Sequence, residues 1–180
     1  MKKNRREFIQ LSSWGFISPL MLSLPGLGSD SKKPVVSQPE DGETFFVREK
    51  TPITIRVSKI RDTTNTISIC TEEIQPGGKI PVHKHLYEDE FFIFQKGNGT
   101  IEIDGVEFSV KSGTMGLVPR ATWHSITNNS PELLIFTFGY SPAGFEDFFR
   151  QIGTAKDLPF QAKSTQEIIS IAEKYGMVYK

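Results

Sequence analysis

"GGKIPVHKHLYEDEFFIFQKG", residues 77–97, places two of the chain's three histidines, His83 and His85, one residue apart. Side chains at positions i and i+2 of a β-strand point to the same face, about 6.6–6.8 Å apart along the strand. Three acidic residues and a run of apolar residues follow the pair. We therefore expect the two imidazoles to face one small object from a single strand.

The segment from residue 45 to 139 consists of short apolar or alternating runs that are separated by turn residues. Eight such runs predict an all-β sandwich or barrel. They read "ITIRVSK", "NTISICTEEI", "EFFIFQK", "GTIEIDG", "VEFSVKS", "TMGLVP", "WHSITN" and "ELLIFTFG". The sharpest predicted hairpin turns at Asp104-Gly105, a pair that suits a type I′ turn. The alternation continues after this turn at Val106, Phe108 and Val110.

Two helices are predicted after these strands, at residues 141–153 and 164–176. In the first, Ser141 is expected to cap the helix. Its apolar stripe at helical spacing consists of Phe145, Phe148, Phe149 and Ile152. In the second, Ser164 and Glu167 have the spacing of a capping box. Its apolar stripe consists of Ile168, Ile171, Ala172 and Tyr175. We expect both stripes to face the core.

The first 28 residues have the layout of an export signal: a basic start, a long uncharged stretch and small residues near the end. The adjacent Arg5 and Arg6, followed by Glu7, Phe8 and Ile9, resemble a twin-arginine signal. An exported protein is therefore expected, in the periplasm or cell envelope, with no stable membrane insertion once the signal is removed.

Four segments are predicted from these patterns. They are an export signal at residues 1–28, a linker or extended arm at 29–44, a barrel at 45–139 and a C-terminal helical segment at 140–180. The chain has 21 basic and 21 acidic residues, which argues against a nucleic-acid partner. Its single cysteine, Cys70, excludes an internal disulfide and is expected to pack in the core.

Two motifs between residues 77 and 128 resemble those of the cupin superfamily. The first is matched by Gly77, His83, His85, Glu90 and Gly97, and the second by Gly113, Pro119, His124 and Asn128. Ala121 stands where the second motif has its middle glycine, at a tight turn. The resemblance implies a small antiparallel β-barrel, of the double-stranded β-helix or jelly-roll type, followed by C-terminal helices. It also implies one metal ion held by His83, His85, Glu90 and His124.

Three imidazoles and one carboxylate suit a divalent transition metal ion such as Fe, Mn, Ni, Cu, Co or Zn, and do not select one of them. Four protein ligands leave coordination positions for a substrate. Glu90 could also leave the metal and act as a catalytic base. Glu88 shares the strand parity of Glu90 and remains an alternative ligand, whereas Asp89 should face away.

The residues after Glu90 are expected to shape a substrate pocket. By alternation Phe92 and Phe94 share the inward face of Glu90. An aromatic lining would favour a planar or apolar organic ligand, although both rings could equally be ordinary core. Tyr87 and Trp123 lie beside ligands in the sequence and could border the mouth of the pocket.

The segments "PAGFEDFFRQIG" and "VPRATWH" resemble a cupin group described as quercetin 2,3-dioxygenase-like. This resemblance implies a metal-dependent dioxygenase or related oxidoreductase that acts on a small phenolic or enolic compound, with Glu90 taking a proton from the substrate. A metal-dependent isomerase, lyase or hydrolase and a non-catalytic binding module remain open alternatives. A homodimer is also expected, through an open barrel edge and the arm at residues 29–50.

Overall fold

The computed structural model of the chain describes residues 34–180. The predicted export signal and the beginning of the arm lie outside these residues. The described strands are β1 (Glu43–Arg48), β2 (Thr51–Val57), β3 (Ser68–Ile74), β4 (Lys79–His85), β5 (Asp89–Lys96), β6 (Asn98–Ile103), β7 (Val106–Lys111), β8 (Met115–Val118), β9 (His124–Thr127), β10 (Leu134–Ser141), β11 (Thr154–Ala155) and β12 (Met177–Tyr179). The described helices are α1 (Lys59–Asp62), α2 (Asp147–Ile152) and α3 (Thr165–Lys174).

These strands form two antiparallel sheets. One sheet has seven strands in the order β11-β1-β2-β3-β10-β5-β8, and the other has five in the order β12-β4-β9-β6-β7. Buried residues of both sheets join in one hydrophobic core, so the sheets face each other. The predicted all-β fold of the double-stranded β-helix type, with C-terminal helices, is confirmed. Within residues 34–180 the strands remain two sheets and are not closed into one hydrogen-bonded barrel.

Period-two alternation explains which side chains enter the core. On β3 alternate residues are buried from Ser68 to Ile74, and these include Cys70 as predicted. On β5 the buried positions are Glu90, Phe92 and Phe94. Inward-facing apolar side chains stabilise such a sheet by about 1.5–3 kcal/mol each, which fixes the strand register. The same alternation therefore turns Glu90 inward with the aromatic rings.

The predicted β6–β7 hairpin is confirmed at its turn. Ile103 pairs with Val106, and the turn residues Asp104 and Gly105 both have positive φ, 46° and 82°. The alternation after the turn does not bury its residues as expected, because Val106 and Phe108 are 55% and 50% exposed. The reason is that β7 is the last strand of its sheet, so only its far end, at Val110, reaches the core.

Three strands were not predicted: β1, β11 and β12. The last of them pairs with β4, so that Met177 lies opposite His85 and Tyr179 lies opposite His83. Two or three residues carry too little alternation to indicate a strand, and the free edge of β4 is what gives β12 its partner. The segment from 140 to 180 thus holds two helices and also two short strands.

The first C-terminal helix begins later than its sequence pattern predicts. Ser141 is the last residue of β10, where it pairs with Asp89, and it does not cap α2. Glu146 precedes α2 and is fully buried, and its carboxylate accepts hydrogen bonds from the backbone N–H groups of Lys59 and Gly144 at 2.6 and 2.7 Å. These bonds fix the loop before α2 against the start of α1.

The phenylalanine stripe of α2 and the capping box of α3 are as predicted. Phe145, Phe148, Phe149 and Ile152 are buried. The Ser164 side chain accepts from the backbone N–H of Glu167, and the Glu167 side chain accepts from the backbone N–H of Ser164. The α3 stripe packs on the core, with Ala172 fully buried. No helix among the described residues is long and apolar enough to cross a lipid bilayer.

All three glycines of the two motifs occupy backbone positions that other residues rarely adopt, with φ 73° at Gly77. Gly97 has φ 83° and Gly113 has φ 88°. A Cβ atom at Gly97 would overlap the carbonyl oxygen of Leu133, whereas one at Gly113 would meet nothing within 4 Å. Ala121, which stands where the second motif has its middle glycine, has φ 63°, so the turn keeps its left-handed conformation with an alanine.

We expect Gly97→Ala to destabilise the protein by more than about 3 kcal/mol, because backbone must move to admit the methyl group. Gly113→Ala is the matched control and should lose only the strain of a left-handed alanine, about 1–2 kcal/mol. Denaturant unfolding of both variants measures the difference. Equal losses would show that the close approach at Leu133 has no energetic importance.

Candidate metal centre

Four polar side chains from three strands converge between the two sheets. His83 and His85 lie on β4, His124 on β9 and Glu90 on β5. Strands β4 and β9 are neighbours in the five-stranded sheet, with His83 opposite His124, while β5 belongs to the seven-stranded sheet. Each of the four residues offers one ligand atom, and these atoms all lie within 4.8 Å of one another. The structure therefore brings all four predicted ligands together.

Glu90 is the centre of this group. Its Oε2 lies 2.9 Å from Nε2 of His124 and 3.3 Å from Nε2 of His85. The ring of His83 packs on the ring of His124 with a centroid distance of 4.3 Å. All four side chains are buried. A carboxylate of one sheet is thus in direct contact with imidazoles of the other.

Backbone carbonyls orient two of the three imidazoles. Nδ1 of His83 lies 2.8 Å from the carbonyl oxygen of Pro81, and Nδ1 of His124 lies 3.1 Å from that of Thr122. A carbonyl only accepts, so Nδ1 carries the proton and donates it in both cases. This arrangement leaves Nε2 of each ring as the ligand atom that faces the site.

The donor set fits a transition metal ion. Two nitrogen or oxygen donors on opposite sides of an ion, each about 2.1 Å from it, are about 4.2 Å apart, so small rotations bring these four groups within range. Neither ring nitrogen of His85 has a hydrogen-bond partner among the described residues, although the ring is 2% exposed. A cation would give Nε2 of His85 the partner that the protein does not supply.

The electrostatics of the group favour a cation over protons. Burial opposes ionisation of Glu90, but the hydrogen bond with His124 and the close contacts with His85 and His124 outweigh it and hold its pKa far below the usual value. Burial, with the neighbouring His124 and His85, lowers the pKa of His83 to about 3. Burial also opposes ionisation of His124, yet the bond to Glu90 leaves its pKa raised. A metal ion would therefore compete chiefly with the proton that His124 and Glu90 share.

The two acidic residues that precede Glu90 in the sequence, Glu88 and Asp89, do not belong to the cluster of four ligands. Asp89 faces away, as expected, and forms an exposed ion pair with Arg120 at 3.0 Å that lowers its pKa to about 2. Glu88 is largely buried, and burial raises its pKa to about 7, but it is not one of the four clustered ligands. The geometry therefore favours Glu90 over Glu88, the alternative left open by the sequence.

A cavity of about 60 Å³ adjoins the candidate site and is lined by His83, Glu90 and His124. Water occupies about 15 Å³ on this measure, so the cavity suits a ligand of only a few heavy atoms. Aromatic rings supply eight of the other 17 lining residues. They are Phe92, Phe136, Phe138, Tyr140, Phe145, Phe148, Phe149 and Tyr179.

Of the four predicted pocket residues, only Phe92 is in this wall. Phe94 is one layer deeper in the core, where its ring packs on those of Phe92 and Phe136. Tyr87 is 60% exposed, because its ring lies over Gly176 at the surface. Trp123 is outside the wall, with the Lys84 ammonium 4.5 Å from its ring centroid. Tyr87 lies in the turn between β4 and β5, and Trp123 directly precedes β9, so strand alternation does not direct either side chain into the cavity.

Two charged residues of the cavity wall were not predicted. Glu72 on β3 has the same parity as Cys70, so the alternation that placed Cys70 in the core already indicated an inward glutamate. It forms an ion pair with Arg48 on β1, a strand that the sequence analysis missed. Nothing in the sequence around Arg48 indicates this pairing, because the two residues belong to strands that are separated by β2.

Residues 70–140 match the family model described as "Cupin domain". A dimethylsulfoniopropionate lyase, DddW, of Ruegeria pomeroyi is 34% identical over 74 residues, which are 41% of this chain and 47% of that protein. The chain thus spans about half the length of this curated relative.

Three solved structures share the fold. An oxalate decarboxylase of Lactobacillus farciminis, in a formate complex, has a TM-score of 0.52 at 25% identity and covers 58% of this chain and 32% of that one. KdgF from a Halomonas species has a TM-score of 0.56 at 16% identity over 64% and 99% of the two chains. An RmlC-like cupin from Shewanella frigidimarina has a TM-score of 0.53 at 20% identity over 62% and 93%.

We expect His85→Ala and Glu90→Gln each to weaken binding of Zn²⁺ by more than about a hundredfold, because each removes a ligand. Glu88→Gln is the matched control, two residues from Glu90, and should bind Zn²⁺ like the parent protein. Elemental analysis after dialysis against a fixed free Zn²⁺ concentration measures the effect. A full equivalent of tightly held metal in the His85→Ala protein would refute the assignment.

Proposed function

We propose that this chain, a member of the cupin superfamily by its residues 70–140, is a metal-dependent enzyme of the lyase or oxidoreductase class that acts on a small organic compound. The observation that carries the proposal is the convergence of three imidazoles and one carboxylate, within 4.8 Å, at the wall of a cavity. Four buried donors beside a space for a ligand form an open site, which is the arrangement of a reactive centre.

The protein groups in the site have separate tasks in this proposal. A bound divalent cation supplies a Lewis acid that polarises an oxygen of the substrate. The carbonyls of Pro81 and Thr122 hold the rings of His83 and His124 in the ligating orientation. The aromatic wall excludes water and confines the substrate to one small space.

Glu90 serves better as a ligand than as the catalytic base that we expected. A base is most effective when its pKa is near the working pH, and the contacts with His124 and His85 hold the pKa of Glu90 far below that range. In this geometry Glu90 stays ionised and holds charge at the site. A role in proton transfer requires Glu90 first to leave its imidazole partners.

A lyase is our first candidate. The curated relative in Ruegeria is a lyase, and the substrate in its name is a small carboxylate. The cavity of about 60 Å³ likewise suits a compound of a few heavy atoms better than a fused-ring flavonol. Elimination transfers a proton from carbon to a base, here Glu90 once it has left its imidazole partners, and releases a leaving group as the double bond forms. No second substrate has to enter the cavity.

The dioxygenase or related oxidoreductase expected from the sequence is the second candidate. The aromatic side chains in the wall favour it, because they suit a planar phenolic or enolic substrate. Membership of the quercetin 2,3-dioxygenase-like group within the superfamily stays a prediction. A reaction with dioxygen would consume oxygen in proportion to product, which separates the two candidates.

We expect the metal-loaded protein to convert a small carboxylate under argon, with dimethylsulfoniopropionate as the first compound tested. Product formation is followed by NMR with Fe²⁺, Mn²⁺, Ni²⁺ or Zn²⁺ in turn. His124→Ala should lower kcat/KM at least about a hundredfold, and Glu88→Gln should leave it close to that of the parent. If the protein instead converts catechols or flavonols, and only with uptake of oxygen, the oxidoreductase is the correct candidate and the lyase is wrong. If none of these metals supports turnover of small carboxylates, catechols or flavonols, an enzymatic role is refuted.

We also propose that the mature protein is an exported homodimer. The twin arginines Arg5 and Arg6 support export. Exposed apolar side chains on the edge strands β7 and β8 support association with a second copy: Val106, Phe108, Met115 and Leu117.

Cell fractionation followed by sedimentation equilibrium tests both parts of this proposal. The chain should be found in the periplasmic fraction with twice the mass of its monomer. Replacing Arg5 and Arg6 together by Lys should retain the chain in the cytoplasm. A periplasmic monomer would contradict the dimer alone, and export of the double-lysine variant would contradict the twin-arginine route.

A further inference from the structure

The cavity beside the candidate metal centre contains a second charged group. Nη2 of Arg48 on β1 donates a hydrogen bond to Oε1 of Glu72 on β3 across 2.5 Å. Both side chains line the same cavity as His83, Glu90 and His124. The four clustered ligands do not include either of them. The pair therefore requires an explanation of its own.

Glu72 occupies a position that favours an apolar residue. Its side chain is 4% exposed and lies in register with Ile53 on one side and Phe136 on the other. Burial raises its pKa to about 7 even beside Arg48, so the ionised carboxylate is not fully compensated. Well-packed apolar residues are often at least as stable as a buried ion pair. Stability of the core therefore explains the presence of this ion pair poorly, and a role in the cavity explains it better.

Arg48 lines the cavity and has hydrogen-bond donors that its pair with Glu72 does not use. A guanidinium carries five N–H donors, and within residues 34–180 the side chain of Arg48 makes one hydrogen bond, to Glu72. Its side chain is 41% exposed while that of Glu72 is almost fully buried. Glu72 therefore holds the guanidinium at the wall without using up its planar fork. Such a fork matches the two oxygens of a carboxylate.

The net charge of the cavity also favours a carboxylate as the bound compound. Arg48 and Glu72 neutralise each other, and a divalent cation held by three neutral imidazoles and Glu90 leaves a net positive charge. The other wall residues are mostly apolar, so this charge acts with little screening. A small monoanion complements this net positive charge, whereas a neutral compound leaves it uncompensated.

We propose that Arg48, held in place by Glu72, binds the carboxylate of the substrate, and that the enzyme therefore acts on a small monocarboxylate. The inference rests on the proposed function, because it names the substrate class of that same site. It adds a specificity-determining residue that lies outside the four clustered ligands. The reacting end of the substrate then lies toward the metal centre and its carboxylate toward β1.

Replacing each end of the Arg48–Glu72 pair in turn tests this role. Calorimetric titration with propionate and with its neutral analogue propionamide is done on the Zn²⁺-loaded protein and on the metal-free protein. Arg48→Gln should weaken propionate binding about ten- to a hundredfold, the loss expected for hydrogen bonds to a charged group. Binding of propionamide should change by less than about twofold, because it offers no charge to Arg48.

Glu72→Gln breaks the same ion pair from its other end and should have the opposite effect. The glutamine amide oxygen still accepts from Arg48 and holds the guanidinium in place, whereas the negative charge that competes for Arg48 is lost. Propionate should therefore bind more tightly than to the parent protein. If the pair served only to close the cavity wall, both substitutions would change the affinity for propionate in the same direction. A fall in propionate affinity in Glu72→Gln comparable with that in Arg48→Gln would therefore overturn the proposal.

Three controls keep the result interpretable. Arg48→Gln combined with Glu72→Gln leaves no unpaired buried charge and should still lose propionate affinity if Arg48 binds the anion. Arg56→Gln is the matched arginine control, because within residues 34–180 the Arg56 side chain bonds only to the backbone carbonyls of Pro39 and Asp41, outside the cavity. Elemental analysis should show an unchanged Zn²⁺ content in every variant.

The two proposals fail in distinguishable ways. Propionate binding that requires Zn²⁺ and is the same in the parent and the Arg48→Gln protein would show that the cation alone binds the carboxylate, and would overturn the role of Arg48. The proposed enzymatic function would survive that result. Absence of metal-dependent turnover would refute the function, and the titrations would still decide whether Arg48 binds carboxylates.

Discussion

The contact on which the site depends is that between the carboxylate of Glu90 and the imidazoles of His124 and His85. It joins the two sheets through a buried charge, at 2.9 and 3.3 Å. A charge in such a place is stable only while its partners remain, and removal of one partner from a buried pair costs about 3–5 kcal/mol. The same contact keeps Glu90 ionised, so a cation can replace the proton that Glu90 and His124 share.

The cavity, unlike the metal centre, is completed by parts of the chain outside the segment that matches the cupin model. Residues 70–140 contribute the four clustered ligands and Glu72. The rest of the wall includes Arg48 from β1 and the phenylalanines of α2, with Tyr179 from β12. The segment that matches the cupin model thus supplies the candidate metal centre, while these flanking elements decide the size and charge of the space beside it.

Local sequence was sufficient wherever one strand or one helix decides the outcome. Alternation placed Cys70, Phe92 and Phe94 in the core, and the Asp104-Gly105 pair gave the hairpin turn. Local sequence is not sufficient where pairing with a distant segment of the chain decides the structure. β12 exists because β4 has a free edge, and Ser141 remains in β10 because Asp89 pairs with it. Phe108 follows the inward alternation and is half exposed, since its strand lies at the edge of a sheet.

The sequence by itself determined the class of fold and the four residues of the candidate metal centre, because strand periodicity and motif spacing are local properties of the chain. Only the tertiary structure decided what surrounds them. Glu72 and Arg48 are separated by an intervening strand in the sheet, and they meet because β1, β2 and β3 pair in order. Tyr87 and Trp123 lie beside ligands in the sequence and outside the cavity in the fold. Pockets arise from side chains of distant segments, and a single strand specifies the direction of a side chain but not what lies opposite to it.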